Sequence, residues 1–283
     1  MIKVVLFDVD GTLVKAGGCG RRALNRALRR LYGKRDICSD HILAGSTDRD
    51  NFTKSFISAV GAKPKASDLK LIEKTYLALL PAEVNAAVRE RRYEKIAGVE
   101  KLLANLSRRK NVLVGLGTGN VEHGARLKLE PSGLWPHFKF GGYGCDGLER
   151  VAVLKTGVRR AEKVLGMKVK PSQVFIVGDT EKDVVAGKQA GYHTGAVING
   201  YGCAETVIRS APELLAEDFS ETEYWLMWLG LVASGQKVER GCFMFPNSAI
   251  DHVQHGRTGD HAPQADRLCC ARPAAKNRAK GKK

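Results

Sequence analysis

The chain has 283 residues, with 46 Lys and Arg against 30 Asp and Glu, a formal net charge of +16, 43% hydrophobic residues and 7% aromatic. Apolar content of that order over this length buries one sizeable core plus a smaller second one, and it excludes wholesale disorder. The most apolar stretch, Tyr224 to Ala233, is far short of the roughly 20 residues of a membrane span. The N-terminal apolar run meets Asp8 too soon for a secretory leader, so a cytoplasmic protein with no membrane partner is expected. The seven cysteines, odd in number and without regular spacing, do not read as a disulfide framework, and the lack of a C-x-x-C pair disfavours a zinc ribbon.

In chain order, Ile2 to Phe7 is a short apolar, β-branched run that predicts a buried strand, broken by Asp8-Val9-Asp10-Gly11-Thr12. Residues 19–94 carry helical spacing, with breaks at 33–40, 44–46 and 61–65. Within them, Arg21, Arg22, Arg26, Arg29 and Arg30 line one side of a helix, and Ala23, Leu24, Ala27, Leu28 and Leu31 line the other. A helix over 98–109 precedes a strand over 111–116, which runs into Gly117-Thr118-Gly119-Asn120. Next come a helix over 121–129, a short strand at Phe138-Lys139-Phe140 and a helix over 151–165. A strand over 174–177 enters Gly178-Asp179, followed by a helix over 183–190, a strand over 194–198 and a helix over 204–210. Trp225 and Trp228, three apart, predict a terminal amphipathic helix packed on the sheet.

Strands alternating with helices predict an α/β fold, a doubly wound, Rossmann-like parallel sheet. The helical block is too long for a loop and reads as an inserted α-helical domain. The expected division is a core of residues 1–14 and 96–232, a helical insertion of 15–95 and a basic, disordered tail of 233–283. From Leu231 to Lys283 there are ten Lys and Arg against four Asp and Glu. If the tail has a partner, nucleic acid is the expected one.

In doubly wound sheets the ligand crevice lies at the carboxyl ends of the strands. The residues just after the predicted strands are Asp8, Asp10, Thr118 and Asp179. Carboxylates converging there repel one another unless a cation sits among them, and Mg2+ suits oxygen donors beside a phosphate. An ionised Asp is a competent nucleophile at phosphorus, and a second carboxylate two positions away can move the proton. Thr118 and the Gly119 amide suit a phosphoryl oxygen. Arg150 and Lys155, near the start of a predicted helix, are the candidate cations.

Three motifs resemble those of the haloacid dehalogenase-like hydrolases. They are Phe7-Asp8-Val9-Asp10-Gly11-Thr12-Leu13, Leu116-Gly117-Thr118-Gly119-Asn120 and Gly178-Asp179-Thr180-Glu181-Lys182-Asp183, the first, second and fourth of that family. The helical insertion is similar to the family's cap. Ala44-Gly45-Ser46-Thr47-Asp48-Arg49 resembles the cap loop of its phosphoglycolate phosphatase-like branch. The resemblance implies that Asp8 is nucleophile and Mg2+ ligand, and Asp10 general acid/base with its carbonyl on the metal. It implies that Thr118, Gly119 and Asn120 bind the phosphoryl group, that Asp179 is a metal ligand and that Asp183 orients groups around the metal. The family's third motif is usually a Lys, often Lys-Pro, before a helix. This chain has no Lys-Pro there; Arg150 sits nearer the expected place, and Lys155 falls inside the helix. Arg supplies the charge with a different donor geometry.

The expected function is a Mg2+-dependent phosphatase acting on a small phosphorylated metabolite, phosphoglycolate-like or a sugar phosphate, through an aspartyl-phosphate. The alternatives are a phosphomutase of the same fold, with Arg49 holding a second phosphate in the cap, and a nucleic-acid-associated protein binding through its tail. Asp10 disfavours dehalogenation, whose branch has no acid at that position. His123 is read as a surface or packing residue.

Overall fold

Val4, Val5, Leu6 and Phe7 have no solvent exposure, because the strand that carries them is covered by helices on both faces. A computed structural model describes residues 1–40 and 43–232; the basic tail of 233–283 lies outside the described residues. The elements, in order, are β1 (Lys3–Phe7), β2 (Val14–Lys15), α1 (Cys19–Tyr32), α2 (Asp48–Val60), α3 (Ala66–Arg89), β3 (Glu94–Lys95), α4 (Val99–Ser107), β4 (Val112–Gly117), α5 (Glu122–Leu129), β5 (Gly141–Gly142), α6 (Arg150–Leu165), β6 (Val174–Gly178), α7 (Glu181–Gln189), β7 (His193–Val197), α8 (Ala204–Arg209), β8 (Leu214–Ala216) and α9 (Thr222–Trp228). Six of the strands form one parallel sheet in the order β5-β4-β1-β6-β7-β8. No helix among the described residues is long and apolar enough to cross a membrane.

Helices α1, α2 and α3 form the cap, inserted between β2 and β3. Those two strands pair antiparallel, Val14 with Lys95 and Lys15 with Glu94, so the chain leaves and rejoins the core through a two-stranded neck. On α1 the alternation of Ala23, Leu24, Ala27 and Leu28 with arginines buries the apolar stripe and leaves Arg29 and Arg30 exposed. Part of the basic face is neutralised: Glu83 of α3, itself buried, accepts from Arg22 Nε at 2.7 Å and from Arg26 Nη1 at 2.6 Å, which ties α1 to α3.

The expected strand at 138–140 is displaced. The ladder falls on Gly141 and Gly142, paired with Leu116 and Gly117. A Cβ at Gly142 would collide with the Val153 carbonyl, so α6 can approach β5 this closely only over glycine. Gly-Gly reads as a turn in sequence, whereas Phe138 and Phe140 are buried beside the strand and carry its apolar signal. The short strands β2, β3 and β8 have too few residues to show a period.

At the other edge, α9 packs on the sheet as its two tryptophans suggest. Trp225 is 1% exposed, packs at a tilt with its ring centroid 4.7 Å from that of Phe219 and donates its Nε1–H to the Asp218 carbonyl at 3.0 Å. Gly195 of β7 makes room for both indoles; a Cβ there would lie 3.0 Å from each. Trp225→Ala is expected to cost about 3–5 kcal/mol of stability, the range for emptying a buried tryptophan site. Denaturant unfolding of the two proteins measures it.

Candidate active site

Phe7 pairs with Leu116 on one side and Val177 on the other, so β1, β4 and β6 end together. Their following residues place Asp8, Thr118 and Asp179 side by side at the carboxyl edge, all three buried. Asp183, one turn into α7, joins them. One oxygen each from Asp8, Asp179 and Asp183 lie within 4.8 Å of one another.

Arg150, the first residue of α6, is buried against this cluster. Its Nη2 is 2.9 Å from Asp8 Oδ1 and 2.5 Å from Asp183 Oδ1. Lys155 is exposed on the same helix, so of the two candidate cations the fold brings Arg150 to the carboxylates and leaves Lys155 on the surface. The arginine does not satisfy the cluster. Asp8 Oδ1 and Asp183 Oδ1 lack a hydrogen bond of proper geometry among the described residues. Burial pushes the Asp8 carboxyl up, Arg150 opposes this and Asp183 adds to it. Burial, then Asp8 and Asp183, push Asp179 well above the carboxylate range. Three buried carboxylates that face one another, balanced by a single arginine among the described residues, are a donor set that fits a hard divalent cation such as Mg2+.

The surrounding backbone is shaped for these acids. Asp179 Oδ2 accepts from the Tyr201 amide at 2.7 Å and the Gly202 amide at 3.2 Å, and Oδ1 accepts from Thr12 Oγ1 at 3.2 Å. Gly11, at φ +82°, passes so close that a Cβ would strike the Asp179 carboxylate. Asp183 Oδ2 accepts from the Thr180 hydroxyl at 2.8 Å and amide at 3.2 Å, capping α7 and leaving Oδ1 for Arg150.

The Asp10 side chain lies outside the carboxylate cluster. Its Oδ2 accepts from Asn120 Nδ2 at 2.8 Å and from Lys128 Nζ at 2.6 Å. Thr118 Oγ1 accepts from the Asn120 side chain at 2.9 Å and amide at 3.2 Å. Lys128, on α5, is a site neighbour that the motif reading omits. One signal existed: it falls with Val121, Ala125 and Leu129 on the buried face of α5, where a lysine needs a partner.

The cap loop closes over this edge. Ser46 covers Gly119, where a Cβ would strike the Ser46 carbonyl. Lys182 Nζ donates to the Ala44 carbonyl at 2.9 Å and to Ser46 Oγ at 2.8 Å, and Thr47 Oγ1 donates to the Leu148 carbonyl at 3.1 Å. The Asp48 amide donates to the Gly119 carbonyl at 2.7 Å, and its Oδ2 accepts from the Val121 amide at 2.9 Å. Arg49 is not brought to the site: it is exposed at the start of α2 and has no ion pair among the described residues. The acidic side chain the loop presents to the core is Asp48, beside the hydroxyls of Ser46 and Thr47. His123 is exposed on α5.

A family model for haloacid dehalogenase-like hydrolases matches residues 2–191. The chain belongs to that family of hydrolases. It is 28% identical over 223 residues to pyrophosphatase PpaX of Anoxybacillus flavithermus, covering 78% of this chain and 94% of that protein. Among solved structures, CbbY of Rhodobacter sphaeroides in complex with phosphate aligns with a TM-score of 0.60 at 19% identity, covering 78% of this chain and 96% of that one. A protein from Haemophilus somnus described as a predicted phosphoglycolate phosphatase aligns with a TM-score of 0.58 at 17% identity, covering 79% and 97%. These last two bear on the fold, a parallel sheet with a cap.

In this hydrolase the contact between cap and core carries a titratable charge. Burial raises the Asp48 carboxyl from the ordinary 3.8 to about 6; Lys128 and the Val121 amide oppose the rise, and Asp10 and Glu73 add to it. A raised carboxyl binds its proton more tightly folded than unfolded, so the stability it leaves intact at low pH is lost as pH climbs through about 6. Asp48→Asn keeps an oxygen for the Val121 amide and removes the charge. The expected result is a melting temperature above wild type at pH 8, with the gap narrowing as pH falls below about 6 and closing only near the ordinary carboxylate value of 3.8; thermal melts from pH 8 downward at roughly unit pH steps check it.

Proposed function

We propose that the protein is a Mg2+-dependent phosphatase of a small phosphomonoester that works through an aspartyl-phosphate on Asp8. The observation that carries this reading is the buried cluster of Asp8, Asp179 and Asp183 beside Arg150 and Thr118, at the ends of three adjacent parallel strands.

Asp8 would attack phosphorus, forming the Asp8–phosphoryl bond as the bond to the leaving oxygen breaks. Asp10 would give its proton to that oxygen, then take one from the water that cleaves the acyl phosphate and frees Asp8. The Thr118 hydroxyl and the Gly119 amide, with Asn120 beside them, would hold the phosphoryl oxygens. Arg150 would balance their charge. Asp8 and Asp179, with the Asp10 carbonyl, would hold Mg2+, with Asp183 orienting the groups around it; the ion would supply the positive charge that keeps the buried carboxylates ionised and neutralises the phosphoryl group. The closed cap loop over Gly119 would keep bulk water from the reacting centre.

A hydrolytic outcome is preferred over a mutase because the family model that matches the chain is one of hydrolases. A cytoplasmic setting belongs to the same reading, on the cysteine pattern of the sequence. The substrate class is a small phosphorylated metabolite. Because one relative is named a pyrophosphatase, pyrophosphate belongs in the panel beside phosphoglycolate, sugar phosphates and nucleoside monophosphates.

Phosphate release from that panel is the test. The expected result is release that EDTA abolishes, that added Mg2+ restores, and that falls to background in Asp8→Asn, which keeps the size of the side chain and removes the nucleophile. Undiminished release by the variant would sink the mechanism.

A further inference from the structure

Lys128 stands where the apolar stripe of α5 calls for a hydrophobic residue, in register with Val121 and Ala125. Its side chain is 6% exposed. Burying an ammonium costs far more than burying a methionine of similar length, unless the charge is paired. The pairing is close: Nζ is 2.6 Å from Asp10 Oδ2 and 2.6 Å from Asn120 Oδ1. Asn120 Nδ2 reaches the same Asp10 oxygen at 2.8 Å, so the three side chains close a ring.

The ring has a direction. Both donors fall on Asp10 Oδ2, which leaves Oδ1 as the oxygen to meet a substrate. Asp10 itself sits beside Gly11 in a tight turn and its side chain is 29% exposed, so the turn alone does not fix its rotamer. Lys128 is anchored at both ends. Its carbonyl accepts from Tyr93 Oη at 2.7 Å, and its Nζ lies under the first turn of α1, where a Cβ at Gly20 would stand 3.2 Å from it. The ammonium is thus held by the core and roofed by the cap.

We propose that Lys128 is a positioning residue for Asp10, holding that carboxylate with Oδ1 turned to the leaving-group oxygen. This rests on the phosphatase reading, in which Asp10 moves the proton. A misplacement of about 1 Å at such a group can cost on the order of 100-fold in rate.

Leaving-group dependence separates this role from a structural one. A nitrophenolate departs without a proton, whereas an alkoxide needs one, and kcat/KM reports the steps up to that departure. The experiment compares wild type, Lys128→Met and Lys128→Gln with p-nitrophenyl phosphate and with the best alkyl phosphate of the panel, all with Mg2+. In Lys128→Met, kcat/KM should fall roughly 10- to 100-fold further for the alkyl phosphate than for p-nitrophenyl phosphate. Lys128→Gln, which keeps a donor, should fall between and gives the same ratio should the methionine variant not fold. An equal fall on both substrates, or no fall, overturns the assignment while leaving the phosphatase reading intact. Absence of metal-dependent release by the wild type from either compound overturns that reading, and the assignment with it.

Discussion

Mutual repulsion among carboxylates buried at one edge of a parallel sheet is the constraint on which the rest of this structure depends. Three strands that end in register deliver Asp8, Thr118 and Asp179 to one place, and α7 adds Asp183. Buried charges of one sign raise each other's energy steeply in a medium less polar than water. Arg150 offsets part of this by ion pairs to Asp8 and Asp183, one arginine among three carboxylates of the described residues. The residue choices nearby follow from the same constraint. Gly11 and Gly200 leave the room that Asp179 occupies, and the Tyr201 and Gly202 amides aim N–H dipoles at it. The strain is local, and it is concentrated where an anion and a cation would be handled together.

A second layer of polar contacts joins this edge to the cap. Lys182 comes from the same turn as Asp183 and reaches the cap loop at Ala44 and Ser46. Asp48 reaches back to the Gly119 and Val121 backbone beside the phosphoryl-binding residues. The position of the cap loop is therefore read out by the residues that line the site, alongside an apolar cluster that runs from α1, α2 and α3 of the cap into the core. Lys128 belongs to both layers, bonded to Asp10 below and covered by α1 above.

Much of this was legible in the chain because it is local. Apolar runs of four to six residues mark β1, β4 and β6, and the polar residue after each run marks the crevice. The arginine stripe of α1 and the tryptophan pair of α9 follow from helical spacing, which acts over a few residues. The displaced strand β5 was hidden because its glycines answer to α6 packed across them, a demand that has no local period.

Sequence by itself determined the fold class, the helical insertion and the identities of Asp8, Asp10, Thr118 and Asp179 as candidates, since each stands at a strand end or in the turn beyond it; Asp183 followed from the family resemblance. Tertiary structure alone decided which cation serves them. Arg150 and Lys155 lie five positions apart on one helix, and only the packing of α6 against the sheet turns the first inward and leaves the second in solvent. The same holds for Lys128, drawn to Asp10 across 118 residues of chain, and for Arg49, left outside. A charge's partner is set by distance in space, and distance in space between residues far apart in sequence exists only once the chain has folded.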